Sequence, residues 1–301
     1  MGSSFRTAAE TARNRLAHPA VPVHRISTSR GTVEYARYGA GPAVLVIHGS
    51  GGGWDQGVDW AQRRLPPGRD VLAVSRFGYL GSSLPPDGTT VDQADAFAAV
   101  LDDAGVDRAD VAAFSAGSVT GVGFAVRHPD RVRSLLLESP LLPTGRARVL
   151  PPVAVVKALL RSERLLWRLT HSPALVGLAA GTRWQDLPEP ERQELTAIND
   201  TMFPLAPRRA GTLFDRVMAA PQMLQDRLPV EGITCPTLVV NARAAVLATH
   251  DEARAFVDRL PHGRLVDVDT GGHVLVGNVE HLRSVVGDFL DDPAAGPGDA
   301  A

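Results

Sequence analysis

Short apolar runs alternate with longer amphipathic stretches along most of the chain. Residues 43–48, AVLVIH, are typical, because the run is too short for a helix and rich in β-branched residues. Such a run suits a strand covered on both faces. Strands alternating with helical segments predict right-handed crossovers and a mostly parallel sheet. The predicted strands are residues 21–28, 32–39, 43–48, 70–75, 110–115, 132–139, 237–241 and 264–269.

Residues 141–230 interrupt this alternation. They contain no strand candidate, and Leu and Val recur there at helical spacing between prolines. We therefore expect a helical cap inserted into an α/β core formed by residues 21–140 and 231–291. Residues 1–20 are predicted to be a polar N-terminal extension with helical character. Residues 292–301 are too small and polar to pack, so we expect a disordered tail.

Composition and charge narrow the class of protein. The 301 residues are 44% hydrophobic and 21% charged, with a net charge of -2, as in a soluble globular protein. This charge provides no electrostatic reason to expect nucleic acid or an anionic membrane as a partner. No signal peptide is recognisable, and no stretch approaches the roughly 20 apolar residues of a membrane span. We expect a cytoplasmic protein, and its oligomeric state stays open.

A serine follows the predicted strand at residues 110–115. The segment AFSAG, residues 113–117, has the small-x-Ser-x-Gly pattern of a nucleophile elbow, in which a strained turn exposes the serine. The residues two before and two after the serine must be small, because strand and helix nearly touch there. Ala113 and Gly117 meet this requirement, although the first position is more usually glycine. Ser115 is therefore the candidate nucleophile.

A glycine-rich loop, HGSGGG, follows the strand at residues 43–48. A P-loop would require Gly-Lys-Ser/Thr, and the dinucleotide fingerprint requires a different glycine spacing. The remaining use is to expose backbone N–H groups, as an oxyanion hole requires. We assign the two donors to the backbone N–H groups of Ser50 and Ala116, with Gly51 as the alternative to Ser50. His48 is expected to brace the loop.

One of the nine histidines has a distinctive position. His273 alone follows a strand and two glycines in a loop, directly before a helical segment. The glycine-rich loop, Ser115 and His273 thus occur in that order at successive strand ends. Because the carboxyl ends of parallel strands share one edge of a sheet, we expect the three features to meet there.

With these residues the chain resembles the α/β-hydrolase superfamily over about residues 21–290. The segments that are similar to one bacterial subgroup are HGSGGGWDQG (48–57), SRFGYLGSSLP (75–85), FSAGS (114–118) and RHPDRV (127–132). The resemblance implies an eight-stranded, mostly parallel sheet with a helical lid over the strand ends. It also implies Ser115 as nucleophile, His273 as general base and acyl transfer through a serine ester.

The chain departs from this superfamily at the third catalytic position. The superfamily usually places an Asp in the loop after the penultimate strand, three residues beyond a small residue. Counting from Ala242, that position is Ala245, and Ala244 precedes it. Similar chains of the subgroup carry two aspartates here. Removing the acid typically lowers kcat by about 10⁴, because the acid orients the histidine and stabilises its imidazolium form.

Three explanations compete. Another carboxylate could replace the acid, with Glu138 at the end of the preceding strand as the leading candidate and Asp269 as a weaker one. Alternatively, the fold has left hydrolysis behind and uses its pocket for cyclisation, isomerisation or ligand binding. Finally, Ala244 and Ala245 could be an inactivating or packing change, natural or engineered, in an otherwise ordinary hydrolase.

The apolar cap favours a mainly hydrophobic small-molecule substrate. Arg208 or Arg209 could reach a carboxylate on such a substrate. We predict a serine hydrolase acting on an ester, thioester or lactone, with no cofactor and no metal. The alternative is a non-hydrolytic cyclase or isomerase, or a ligand-binding protein, in the same pocket. The residues proposed to line the substrate site are Trp54, Phe114, Trp167, Met202 and Phe203.

Overall fold

A computed structural model describes residues 4–143, 151–243, 245 and 248–294. Eight strands form one sheet in the order β1-β2-β4-β3-β5-β6-β7-β8. The pairs β1–β2 and β2–β4 are antiparallel, and all other pairs are parallel. The eight-stranded, mostly parallel sheet flanked by helices is confirmed. The strands are β1 (Val23–Thr28), β2 (Gly31–Gly39), β3 (Ala43–Ile47), β4 (Asp70–Val74), β5 (Ala109–Phe114), β6 (Val132–Glu138), β7 (Thr237–Ala242) and β8 (Gly263–Val268).

Strands β1, β2 and β3 follow one another directly, and from β3 onward the described α-helices alternate with the strands, except between β6 and β7, where six helices follow one another. A π-helical segment, Asp215–Ala219, joins α9 to α10. The α-helices are α1 (Phe5–Ala17), α2 (Trp54–Arg64), α3 (Thr90–Asp103), α4 (Gly117–Arg127), α5 (Val153–Leu159), α6 (Glu163–Thr170), α7 (Pro173–Ala179), α8 (Glu189–Asp200), α9 (Arg209–Phe214), α10 (Ala220–Leu224), α11 (His250–Val257) and α12 (Val279–Asp291).

Strand β3 shows why the apolar runs become central strands. Successive side chains of a strand point to opposite faces of the sheet. Leu45 and Ile47 accordingly pack in the cluster that includes residues of α3 and α4, while Val44 and Val46 pack with residues of α2 and α12. All four are fully buried. A strand covered on both faces can be apolar at every position, which explains the continuous run in the sequence.

The N-terminal extension forms α1, which packs against the rest of the molecule. Ala8, Ala9 and Ala12 are buried. Arg15 reaches α2, where its Nε donates to Asp55 at 3.0 Å, and its Nη2 donates to the carbonyl oxygen of Phe203 at 2.8 Å. The extension therefore connects α2 to the segment that follows α8.

The predicted cap corresponds to the helices α5 to α10. Within the described stretch 151–236 there is no strand, but the domain limits at residues 141 and 230 stay predictions. Most of the predicted disordered tail, residues 295–301, lies outside the described residues. Among the described helices, none is both long enough and apolar enough to cross a membrane.

Candidate active site

Ser115 lies in a tight turn between β5 and α4. Its φ of 50° falls in the left-handed region that non-glycine residues seldom adopt. The backbone N–H of Ser115 donates to the carbonyl oxygen of Glu138 at 3.0 Å. A Cβ at Gly117 would lie 2.5 Å from the carbonyl oxygens of Ile47 and His48, so only glycine fits there. A strained residue held by its surroundings is a frequent feature of functional sites.

His273 meets this serine from the loop after β8. Its Nε2 lies 2.9 Å from Ser115 Oγ. The loop turns through Gly271 and Gly272, at φ 93° and 57°, and a Cβ on Gly272 would lie 2.3 Å from the carbonyl oxygen of Ala179. The end of α7 thus packs directly on the histidine loop. Burial lowers the pKa of His273 to about 4, so its ring is neutral at pH 7 and Nε2 can accept a proton.

His48 holds the glycine-rich loop through hydrogen bonds of its ring. Its Nε2 accepts a hydrogen bond from the backbone N–H of Arg76 at 3.0 Å, so the ring proton is on Nδ1. That N–H donates to the carbonyl oxygen of Gly49 at 2.7 Å. Burial, reinforced by the nearby Arg76 guanidinium, lowers the pKa of His48 well below its usual value. A neutral, fully buried His48 therefore braces the loop.

A buried ion pair continues this support. Arg76 pairs with Asp215 of the π-helical segment at 2.8 Å and also donates to the carbonyl oxygen of Gly49 at 2.9 Å. The Tyr79 hydroxyl donates to Asp215 and accepts the backbone N–H of Gly51 at 3.2 Å. Both ends of the loop are thus tied to one charged network, which we call the Arg76–Asp215–Tyr79 network.

These contacts show which of the candidate oxyanion donors are free. The N–H of Gly51 already has the Tyr79 hydroxyl as its acceptor. Within the part of the chain that the structure describes, the N–H groups of Ser50 and Ala116 have no intramolecular acceptor. The free donors are therefore the pair assigned first from the sequence, and Gly51 is the less suitable alternative.

The sequence model of the alpha/beta hydrolase fold matches residues 42–277. The chain belongs to the alpha/beta hydrolase fold family. It is 25% identical over 274 residues to the uncharacterized hydrolase YcgS of Bacillus subtilis, covering 84% of this chain and 92% of that protein. It is 28% identical over 274 residues to a 2-hydroxymuconate semialdehyde hydrolase of Pseudomonas sp. strain CF600, covering 85% and 89%.

Solved structures agree with this membership. An alpha/beta hydrolase fold protein from Nakamurella multipartita superposes with a TM-score of 0.71 at 26% identity, covering 91% of this chain and all of that one. The relatives named above are hydrolases, which supports an enzyme of this fold family.

The position at which a catalytic acid is expected from the sequence is apolar here. Ala245 is 5% exposed and packs in the cluster that includes Val268 and Leu275, and its N–H donates to the carbonyl oxygen of Ala242 at 3.0 Å. Ala244 lies outside the described residues. Among the described contacts, the ring of His273 makes one hydrogen bond, to Ser115. Desolvation is the cause of its lowered pKa, with no opposing carboxylate.

Neither proposed replacement acid contacts the histidine. The carboxylate of Glu138 accepts hydrogen bonds from Arg64, Nε to Oε2 at 2.8 Å and Nη2 to Oε1 at 3.4 Å, and both side chains are buried. Asp269 is exposed and faces Arg243 at 3.3 Å. The replacement of the acid by Glu138 or Asp269 stays a prediction that no described contact supports.

A cavity of about 240 Å³ adjoins Ser115 and His273. Of the five residues expected to line the substrate site, Phe114 and Met202 do so. Trp54, the first residue of α2, packs in the core, while Trp167 and Phe203 pack in a cluster with α1, so the structure does not bring these three to the cavity. The residues that line it are Gly49, Ser50, Gln56, Trp60, Arg63, Arg64, Phe114, Ser115, Glu138, Ser139, Ala179, Ile198, Asn199, Met202, His273 and Val274.

The expectation that Arg208 reaches a substrate carboxylate is wrong. Arg208 is fully buried, and its Nη1 and Nη2 donate to Asp55 at 3.0 and 2.8 Å. Its guanidinium also donates to the carbonyl oxygen of Gly52. The side chain therefore links the loop after α8 to the glycine-rich loop. Arg209 is exposed and does not line the cavity.

Sequence reasoning missed the arginines of α2. Arg63 and Arg64 end the helix that follows the glycine-rich loop, and both line the cavity with Trp60. Trp60 and Arg64 are four residues apart and so share one face of the helix. That spacing was the sequence signal that could have identified Arg64.

Among the described residues, no group of three or more His, Cys, Asp or Glu could hold a metal ion.

Proposed function

We propose that this member of the alpha/beta hydrolase fold family is a serine hydrolase. Its substrate is an ester, thioester or lactone of a small, mainly hydrophobic molecule. The observation that carries the proposal is the 2.9 Å distance between Ser115 Oγ and His273 Nε2, at a serine in the left-handed conformation of a nucleophile elbow. The free N–H groups beside it and the apolar walls of the cavity add support.

In the acylation half, Ser115 Oγ attacks the carbonyl carbon and its proton passes to His273 Nε2. The carbonyl oxygen becomes an oxyanion that accepts hydrogen bonds from the N–H groups of Ser50 and Ala116. When this intermediate collapses, the bond to the leaving oxygen or sulfur breaks, and the leaving atom takes the proton from His273. An acyl-serine remains.

In the deacylation half, a water molecule attacks the acyl-serine and gives one proton to His273. Collapse of the second tetrahedral intermediate breaks the bond to Ser115 Oγ, which recovers the proton from His273. A carboxylic acid is released. Each half forms an imidazolium that has no carboxylate partner here, so we expect both halves to be slow compared with a complete triad.

A second candidate is favoured by the apolar environment of Ala245. A non-hydrolytic cyclase or isomerase, or a ligand-binding protein, needs a shaped cavity but no stabilised imidazolium. In that case the cavity binds a small molecule and Ser115 forms no ester.

Exposure to a fluorophosphonate, followed by intact-mass measurement, tests the first candidate. We expect one adduct on the unmodified chain and none on Ser115→Ala. The variant Ala245→Asp is measured in parallel, since labelling of that variant alone indicates a hydrolase lacking its acid. Absence of labelling in both the unmodified chain and Ala245→Asp would rule out the hydrolase and favour the second candidate.

A further inference from the structure

The cavity beside Ser115 has a polar end whose side chains lack partners. Four buried side-chain atoms of its lining residues have no hydrogen-bond partner within the described residues. In proteins the large majority of buried polar atoms do have partners, so this concentration in one cavity requires a reason. The four atoms are Arg64 Nη1, Arg63 Nε, Trp60 Nε1 and Ser139 Oγ.

This polar end is next to the nucleophile. Glu138, which holds Arg64, is the register partner of Phe114, the residue before Ser115. The ring of Trp60 stacks on the ring of Phe114 with centroids 5.6 Å apart and planes at 10°. The unpartnered atoms therefore belong to the strand and helix that adjoin the nucleophile elbow.

The existing hydrogen bonds of Arg64 determine which ligand groups its remaining nitrogen can bind. Glu138 occupies Arg64 Nε and Nη2, and both of its oxygens are thereby engaged. Arg64 Nη1 remains as a charged donor on a side chain that is only 2% exposed. The atoms left over on Arg63 and Trp60 are also donors, and the Ser139 hydroxyl can donate as well. A complementary ligand group must accept hydrogen bonds.

The charged donors left without partners on the lining residues favour an anionic acceptor. Two arginines line the cavity, Glu138 is the only carboxylate among the lining residues, and His273 is neutral at pH 7. Asp59 neutralises Arg63 from outside this lining, at 2.7 Å. Hydrogen bonds between a guanidinium and a carboxylate are about twice as strong as neutral ones, and more so where water is excluded.

We propose that Arg64 binds a carboxylate of the substrate through Nη1, assisted by Ser139 and Trp60. The substrate is then an ester, thioester or lactone that carries a carboxylate in addition to the bond that is cleaved. Glu138 orients the guanidinium and offsets its charge in the empty cavity. The identity of the cleaved bond rests on the proposed function, but carboxylate binding does not.

Binding to the Ser115→Ala chain tests the proposal without turnover. Calorimetry at pH 7 compares hexanoate with hexanamide, which have the same chain length and differ in charge. We expect hexanoate to bind about tenfold more tightly or better, because only the carboxylate adds attraction between opposite charges to its hydrogen bonds with Arg64. Equal affinities for hexanoate and hexanamide would overturn the proposal.

Variants of Arg64 test whether this side chain causes the preference for hexanoate. Replacing Arg64 alone would leave a buried carboxylate unpaired, so Arg64→Met is combined with Glu138→Gln. We expect this double variant to bind hexanoate about tenfold more weakly and to weaken hexanamide binding less, because only hexanoate loses an attraction between opposite charges. The matched control removes a partly exposed pair outside the cavity lining, Arg127→Met with Asp95→Asn, and should change neither affinity. Hexanoate binding retained by the folded double variant contradicts the proposal.

Arg64→Lys provides a second variant if the double variant does not fold. Lysine supplies one ammonium for Glu138 but no separate Nη1, so hexanoate binding should still weaken, and full retention contradicts the proposal. Fluorophosphonate labelling of the unmodified chain is scored separately. Arg64-dependent hexanoate binding without labelling refutes the hydrolase alone, whereas labelling without preference for hexanoate refutes the carboxylate subsite alone.

Discussion

The two sides of Ser115 differ in how completely their polar groups are paired. On the oxyanion side, His48 and the Arg76–Asp215–Tyr79 network hold the glycine-rich loop through several buried hydrogen bonds. On the histidine side, the described ring contacts of His273 include one hydrogen bond, and the acid position holds the methyl group of Ala245. The loop proposed to stabilise an oxyanion is thus firmly held, while the position proposed for the acid that would stabilise an imidazolium is apolar.

The effect on folding stability explains why substitutions are tolerated more easily on the histidine side than on the oxyanion side. Removing one partner of a buried ion pair leaves an uncompensated charge, so the Arg76–Asp215–Tyr79 network is tied to folding. An alanine at position 245 packs into an apolar cluster and leaves no charge unpaired. We therefore expect alanine at position 245 to lower the proposed activity without destabilising the fold.

The largest expected effect comes from restoring the acid. Ala245→Asp should raise the rate of Ser115 labelling by a fluorophosphonate by up to about 10⁴, because the carboxylate would orient His273 and stabilise its imidazolium. The measurement is the second-order labelling rate from intact mass. Ala244→Asp is the matched control and should leave the rate unchanged. An unchanged rate in a folded Ala245→Asp chain would mean that the loop does not present position 245 to His273.

Breaking the network on the oxyanion side should mainly affect stability. Asp215→Ala leaves Arg76 buried and unpaired, and we expect the free energy of unfolding to fall by about 3–5 kcal/mol. Urea denaturation measures this change. Asp95→Ala removes the partly exposed partner of Arg127 and His128 and should cost less than about 1 kcal/mol. Similar losses in the two variants would show that the network contributes no more than a surface pair.

The pH dependence of labelling should report the missing acid. A His273 pKa of about 4 leaves the ring neutral above that pH, so the labelling rate should be flat near neutrality and fall only as pH drops through about 4. In Ala245→Asp a nearby carboxylate stabilises the imidazolium and should raise this pKa by about 1–3 units. Labelling rates from pH 3.5 to 8 decide this. A midpoint that is the same in both chains would contradict the assigned role of position 245.

The smallest expected effect is that of Tyr79→Phe. The change removes the hydroxyl that accepts the Gly51 N–H and donates to Asp215. We expect a loss of about 1–3 kcal/mol in unfolding free energy, because a buried N–H is left without a partner, and a severalfold slower labelling of Ser115. Tyr38→Phe serves as the control, since its ring is half-buried away from this loop. Identical stability of both variants would mean that Gly51 finds another acceptor.

Features that depend on residues close to one another along the chain could be predicted from the sequence. All eight strands were located within two residues of their observed limits at each end. The central strands were visible as apolar runs because a strand covered on both faces is apolar throughout, while β1 and β2 were located from the turn that separates them. The turn at Ser115 requires small residues at fixed offsets, so it could be recognised locally. Ala245 was found by counting from the end of a strand, and its environment is apolar as the residue type suggests.

Pairings of distant charged residues were decided by the tertiary structure alone. Arg64 meets Glu138 across 74 residues, Arg76 meets Asp215 across 139 and Arg208 meets Asp55 across 153. The chain holds 31 basic and 33 acidic residues, and nothing local distinguishes an arginine that will be buried in a pair from one on the surface. The sequence therefore suggested Arg208 or Arg209 for a substrate carboxylate. In the folded chain Arg208 is paired with Asp55, Arg209 does not line the cavity, and a free donor remains on Arg64. Which polar groups stay unpaired depends on how all the others are satisfied, and only the folded chain determines that.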